Sequence, residues 1–311
     1  MNKTNLSYSR VQTYNKCPRQ YELNYITKGD KDIDTDTDRL DIGSLVHKGI
    51  EQALLATSNP VDVAVKAVKQ AYEDGFGDYA PSVLAKAIDM LETYIPLLGL
   101  GTSLKPLRIK GKPAVEYWFN IPLTVNGVKH VFRGLIDAIL INERGEVLLV
   151  DWKTRGRNVD DDSVILDAQL YIYAYVAVNH LGVNLSRAVQ VQMLTDTPAV
   201  VTLTKKGLPS KVMRKTTKEL FDSSMTMLGL DPNAFYDDFA DKIVPRSEFV
   251  DIVRIDTSEA MLNAMWDRFM DSVIALDNDS VMRPVHSAYT CAFCDYKTSC
   301  FQTIDTETNT W

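Results

Sequence analysis

From Val115 to Leu123 the apolar residues fall at every second position, Val115, Tyr117, Phe119, Ile121 and Leu123, whereas those of the preceding hundred residues recur at helical spacing. A period of two marks a half-buried strand and a period near 3.6 a helix, so this one change separates a helical first third from a strand-bearing middle. Asn126-Gly127 predicts a tight hairpin into a second strand, Lys129–Ile141, and Glu143-Arg144-Gly145 predicts a turn into a third, Val147–Lys153. Apolar residues surround the next segment, Ser163–Asn179, which predicts a helix buried on most sides. Short strands at Arg187–Leu194 and Ala199–Leu203, an edge strand at Phe249–Ile255, and helices near Lys211–Leu228 and Ser258–Leu276 complete the second half. In the first third Ser9 caps a helix carrying Val11, Tyr14, Tyr21 and Tyr25, bent at Pro18, and further helices are expected over Ile42–Ala56, Val61–Tyr72 and Pro81–Leu98.

The expected class is therefore α/β, a mixed central sheet flanked by helices with a helical N-terminal part. No repeat, low-complexity tract or clean linker divides the chain. One elaborated domain over 1–311 is expected: a helical part over 1–105, a core over 106–206 and a helical C-terminal part over 207–311. The one acidic stretch, Asp30 to Asp41, reads as a solvated loop.

Composition narrows the function more than the fold. The longest unbroken apolar run, Leu170 to Val178, is nine residues, far short of the roughly 20 that a membrane helix requires. The N-terminus has no apolar core of a secretory signal, so a cytoplasmic protein with reduced thiols and no membrane partner is expected. A net charge of -7 argues against nonspecific coating of nucleic acid, although a local cleft can oppose the global sign. No Gly-x-x-x-x-Gly-Lys-[Ser/Thr] run occurs, so the chain carries no phosphate-loop motor of its own.

The chemistry concentrates in Val147-Leu-Leu-Val-Asp151-Trp152-Lys153. Residues two apart on a strand share a face, so Asp151 and Lys153 project together from the end of an apolar strand. Such a pair suits a carboxylate that holds a divalent cation beside a lysine that orients or deprotonates water. A surface salt bridge is the plainer alternative. Asp137, on the preceding strand in Gly134-Leu-Ile-Asp137, is within reach through a hairpin. Gly43 lies one turn before His47, where it permits close approach, and a neutral imidazole is a good ligand for Mn²⁺ and similar ions, although a lone histidine is as readily a core residue. Gln169 and Tyr173, four apart, share one face of the following helix, where they suit phosphate binding or positioning of the lysine. Cys291, Cys294 and Cys300 cluster at the C-terminus and Cys17 stands alone near the start. Four thiolates bind either Zn²⁺ or an iron–sulfur cluster, and the spacing leaves both open.

Taken in order, Gly43-xxx-His47, Gly134-Leu-Ile-Asp137, Asp151-Trp-Lys153 and Gln169-xxx-Tyr173 resemble the RecB-like nucleases of the PD-(D/E)XK superfamily. The opening from Leu6-Ser7-Tyr8 through Cys17-Pro18-Arg19-Gln20-Tyr21 is also similar. Asp151 stands where many relatives carry glutamate. The resemblance implies a restriction-endonuclease-like core and ligation of Mn²⁺ or Mg²⁺ by His47, Asp137, Asp151 and the peptide carbonyl of Trp152. It assigns Lys153 to the attacking water, with Gln169 and Tyr173 beside it. Glu116 resembles an upstream acidic position of secondary rank, and Glu51, one turn after His47, is a further acidic candidate. The four cysteines resemble the iron–sulfur clasp of AddB-type and CRISPR-associated RecB-like nucleases, which implies a structural [4Fe–4S] cluster on Cys17, Cys291, Cys294 and Cys300. The activity implied is digestion of single-stranded DNA from an end, 5′ to 3′, alone or beside a helicase, recombination or CRISPR adaptation protein. Two rivals are a catalytically inactive DNA-binding or scaffolding subunit and a zinc-stabilised protein without a nucleic-acid role. Lys110, Lys112, Arg133, Arg155 and Arg157 are candidates to line a phosphate entry.

Overall fold

The computed structural model describes residues 4–28, 37–76, 80–156 and 161–301. In chain order the elements are β1 (Thr4–Leu6), α1 (Tyr8–Lys16), α2 (Pro18–Tyr25), α3 (Thr37–Leu55), α4 (Pro60–Ala71), α5 (Pro81–Leu98), β2 (Leu104–Pro106), β3 (Arg108–Ile109), β4 (Lys112–Pro113), β5 (Val115–Val125), β6 (Val128–Asn142), β7 (Val147–Arg155), α6 (Asp161–Ile165), α7 (Ala168–Asn179), β8 (Arg187–Leu194), α8 (Lys218–Met227), β9 (Val250–Ile255), α9 (Glu259–Asn278) and α10 (Ala288–Ala292). Seven strands make one mixed sheet in the order β1-β6-β7-β8-β9, with β5 and β2 also paired to β6. The pairs β1–β6 and β7–β8 are parallel and the rest antiparallel. The α/β expectation therefore holds, with helices on both faces of a mixed sheet.

The hairpin forms where Asn126-Gly127 places it, because both residues adopt the positive φ (48° and 79°) that such a tight turn demands. Pro122 is tolerated in β5 because that strand pairs only with β6 and lies at an edge. One core, with Phe119, Phe132, Ile136, Ile172 and Phe269, joins the sheet to α1, α7 and α9. The second, with Leu45, Met90, Ala138, Val150 and Trp152, joins the opposite face to α3, α4 and α5.

Several expected elements are corrected. Ala199–Leu203 is not a strand; its one ladder contact is the bridge Leu203↔Pro209, and Val201 instead buries into a satellite cluster with Phe221, Met225 and Phe239. The helix expected from Lys211 begins only at Lys218, where the Thr217 hydroxyl caps it by accepting from Leu220 N. Ser163–Asn179 is two helices, broken where Asp167 caps α7 and accepts a 2.8 Å bond from the Tyr8 hydroxyl. The first helix is interrupted at Cys17, which Pro18 holds extended (φ -163°) between α1 and α2. The end of the acidic stretch is helical from Thr37; its residues 30–36 lie outside the described residues, as does Arg157. Among the described residues no helix is long and apolar enough to cross a membrane.

Candidate active site

The site is built by a gap along β6. On one edge β6 is covered by β5 and then β2; on the other it pairs with β1 through Phe132 and with β7 only from Ala138 onward. Between those two partners, residues 133–137 of that edge have no strand beside them among the described residues. Strand β7 leaves β6 after Val150 but continues along β8 to Arg155, so a fork opens between Asp137 and Asp151. Backbone groups released by the fork still need partners. The Trp152 N–H donates to Asp137 Oδ2 at 2.8 Å, and the Trp152 carbonyl accepts from His47 Nε2 at 3.0 Å.

Both strands also change facing at this level. Tyr117 and Ile136 pack into the first core, yet Val115 and Ala138, each two residues away, pack into the second. Residues two apart in a regular strand share a face, so β5 and β6 turn over together between these positions. The residues at the turnover are Glu116 and Asp137, which lie between the pairs Val115↔Ala138 and Tyr117↔Ile136, where the ladder skips a pair. Glu116 takes a φ of +44°, which costs a non-glycine residue on the order of 1–2 kcal/mol. That strain directs its carboxylate toward α3 rather than along the sheet.

α3 brings the third donor. Gly43 lets the helix close on β7, since a Cβ there would stand 3.2 Å from Thr154 Oγ1. His47, one turn on, then sits over the fork. A carbonyl can only accept, so Nε2 carries the proton of the Trp152 bond and Nδ1 faces Glu116 Oε1 at 3.8 Å and Asp137 Oδ2 at 3.7 Å. Ligand atoms of His47, Glu116 and Asp137 all lie within 4.8 Å of one another. An imidazole nitrogen and two carboxylates at this spacing suit an ion such as Mn²⁺ or Mg²⁺. An open cleft of about 620 Å³, lined by Gly43, Ser44, His47, Lys48, Glu51, Glu116 and Thr154, leads to them.

The remaining candidates divide. Lys153 Nζ donates to Asp151 Oδ1 at 2.9 Å, and Gln190 Nε2, directly opposite on β8, donates to Asp151 Oδ2 at 3.1 Å. Asp151 thus lies beside the three-donor group, with both oxygens engaged, rather than within it. Sequence reasoning missed Gln190; its signal was a buried amide in the apolar run Val189-Gln190-Val191. Gln169 and Tyr173 approach from the opposite face. The Tyr173 ring meets Phe119 edge-on at 5.5 Å, and burial pushes its hydroxyl up to about 12. Gly134 makes room for both, because a Cβ there would stand 2.4 Å from Phe119 Cζ and 3.1 Å from the Tyr173 hydroxyl. Gln169 lines a separate cleft of about 1030 Å³ between α1, α7 and α9. Glu51 pairs with Lys48 at 2.7 Å. Lys110 and Lys112 belong to the small β3–β4 hairpin and are not among the residues lining the fork's cleft.

Electrostatics mark the fork as a place for a cation. Burial works against a charged His47, but the nearby carboxylates of Glu116 and Asp137, with the bond to the Trp152 carbonyl, outweigh it and raise its pKa. Burial pushes the Asp137 carboxyl from 3.8 up to about 6; the charge of His47 opposes that rise and the charge of Asp151 adds to it. A carboxyl whose folded pKa exceeds its unfolded one favours the fold below the unfolded value and loses that contribution as pH rises through the folded value. In chelator the protein is therefore expected to lose stability from this group as pH rises from about 4 through about 6. Asp137→Asn should flatten that slope. Denaturant unfolding of both proteins across this range measures it, and parallel profiles would refute the assignment.

The four cysteines meet at the other end of α1. Cys17, Cys291, Cys294 and Cys300 line one small cavity, and the Val285 N–H points to Cys17 Sγ at 3.4 Å. Burial raises the thiols of Cys294 and Cys300.

The family model of the PD-(D/E)XK nuclease superfamily matches residues 5–301. No curated protein matches the sequence. A solved structure described as "Crystal structure of SSO0001" is similar at 14% identity and a TM-score of 0.36, over 96% of this chain and 87% of that one, a likeness too distant to argue from.

Proposed function

The chain belongs to the PD-(D/E)XK nuclease superfamily, whose members are metal-dependent nucleases, and on that premise we propose that it is a divalent-metal-dependent exonuclease that degrades single-stranded DNA from an end, 5′ to 3′. The observation that carries this reading is the fork, where one imidazole nitrogen and two carboxylates converge beside an Asp151–Lys153 pair at the mouth of an open cleft.

His47, Glu116 and Asp137 would hold Mn²⁺ or Mg²⁺, with Asp151 and the Trp152 carbonyl at its border. The cation supplies neutralisation of the phosphodiester charge and acidification of water. The residues of the chain do the rest. The Trp152 N–H fixes the orientation of Asp137, and Gln190 fixes that of Asp151. Lys153, held by Asp151, orients the attacking water and takes part in its deprotonation. Tyr173 and Gln169 brace the fork from behind.

The clasp is proposed as a structural [4Fe–4S] cluster. All four thiols line the same cavity, and soft thiolates suit an iron–sulfur cluster. DNA is the substrate, and a helicase, recombination or CRISPR adaptation protein is the partner class in a reducing cytoplasm.

One observation favours a second reading, an inactive DNA-binding or scaffolding subunit: both Asp151 oxygens are already bound, to Lys153 and Gln190. Digestion of end-labelled single-stranded DNA, in Mn²⁺ or Mg²⁺ and in chelator, separates the two. Metal-dependent shortening from one labelled end is expected and gives the polarity. No cleavage of several DNA and RNA substrates by cluster-loaded protein would hand the case to the inactive subunit.

A further inference from the structure

Two residues beyond Glu116, Trp118 is 64% exposed. Tryptophan seldom stands so far into water without an occupant. Its neighbours Tyr117 and Phe119 both pack into the first core, so the indole faces the other side, from which α3 brings His47. Opposite it in the register is Leu135, two residues before Asp137. Arg133, between the inward-facing Phe132 and Gly134, looks out from the same face, one same-side step further from the site. Each such step is about 6.7 Å. The half-buried Arg133 guanidinium bonds the neutral amide of Asn5, and its buried Nε has no hydrogen-bond partner among the described residues. The β5–β6 hairpin therefore presents, in order away from the fork, two carboxylates, an aromatic plate and a cation.

A protein partner would need a broad apolar patch. Here the indole stands next to exposed Asn120 and the Arg133 charge, a combination that matches the base and the phosphate of a nucleic acid. Only an unpaired strand offers a free base face to an indole, because duplex bases already stack on one another. We propose that Trp118 stacks on a base next to the bond to be cut and that Arg133 holds a neighbouring phosphate, so that the exposed face of the β5–β6 hairpin guides a single strand into the fork. This rests on the nuclease reading above and adds the residues that select an unpaired strand.

The test is binding of oligo-dT to the full-length, cluster-loaded protein carrying Lys153→Ala, in Mn²⁺, read by intrinsic fluorescence and by affinity. Trp152 and Trp266 are buried, so among the described tryptophans Trp118 is the one open to quenching. Adding Trp118→Ala is expected to remove most of the quench and to weaken single-strand binding by roughly 5- to 100-fold. Adding Trp118→Tyr, which keeps an aromatic plate, should retain most of the affinity. Arg133→Gln should lower the slope of log K against log salt by about 0.7, the value of one single-strand phosphate contact. Single-strand affinity within twofold of the parent after Trp118→Ala overturns the proposal, as does an equal loss on blunt duplex. If the wild type cuts nothing while the Trp118-dependent quench persists, the nuclease reading fails and the strand track stands. If the wild type and Trp118→Ala cut and bind single strands alike, the track fails and the nuclease stands.

Discussion

Lys153→Ala is expected to lower metal-dependent DNA cleavage by roughly 10²- to 10⁴-fold, the usual worth of a positioned proton-transfer group, while leaving cation binding nearly unchanged. The separation of the two effects follows from the geometry. His47, Glu116 and Asp137 meet without help from Lys153, whose ammonium bonds Asp151 at 2.9 Å. Truncation leaves the buried Asp151 with its Gln190 bond but no counter-charge, so a modest loss of stability accompanies the loss of rate. Lys153→Arg should not restore activity, because a guanidinium does not give up its proton and cannot pack as a point charge. Titration of Mn²⁺ by calorimetry beside single-turnover cleavage measures both quantities. A variant that keeps more than about a tenth of the wild-type rate removes Lys153 from the reaction, since that is less than even a modest acid–base contribution.

The parts of the fold that showed in the sequence are those set by local chemistry. Alternation in β5, the Asn126-Gly127 turn and the apolar run into Asp151 each need only neighbouring residues to act, and the structure places strands and hairpin there. What did not show depends on distant partners. The break in Ser163–Asn179 occurs because Tyr8, 159 residues away, bonds the capping Asp167. Ala199–Leu203 has strand-like composition, but among the described residues its pairing goes no further than the single bridge Leu203↔Pro209. β1, three residues long, is too short to carry a period and exists because β6 offers it an edge.

The candidate site divides in the same way. Gly43, His47, Asp137, Asp151 and Lys153 were visible by type and order. The prominence of Glu116 was not, because it comes from a strained φ of +44° in the middle of an alternating strand. The Trp152 carbonyl was named from the resemblance, but the bonds of its N–H to Asp137 and of its carbonyl to His47 were not legible, because they form only where β7 departs from β6. The fork accounts for the function-bearing residues better than any motif does. It opens the sheet, releases backbone groups to fix the site, and exposes one face of the β5–β6 hairpin beside it.

Cys17→Ser should cost more stability than any surface substitution. The other cysteines of the proposed clasp begin at Cys291, 274 residues away, so a metal group bridging them would close a very long loop. The chain-entropy treatment of cross-links puts that closure at about 5 kcal/mol, as an upper figure. Among the described residues the Tyr296 hydroxyl bonds Asn24 at 2.7 Å and the Val285 N–H reaches Cys17 itself. No residue of α10 is buried, and Tyr289 and Phe293 stand largely in water. Apart from the buried Tyr296, little apolar surface of this segment is available to hold it against α1 and α2 if a shared metal group is removed. In anaerobically purified protein the variant should lose its brown colour and most of its iron, and its Tm should fall by roughly 10 °C. The fork lies in a different part of the fold, so residual cleavage should survive at temperatures below that transition. A wild-type protein that is colourless and carries one zinc per chain would replace the cluster with the smaller metal. A Cys17→Ser protein with unchanged iron and Tm would show instead that Cys17 is no ligand and that the two ends are held by packing alone.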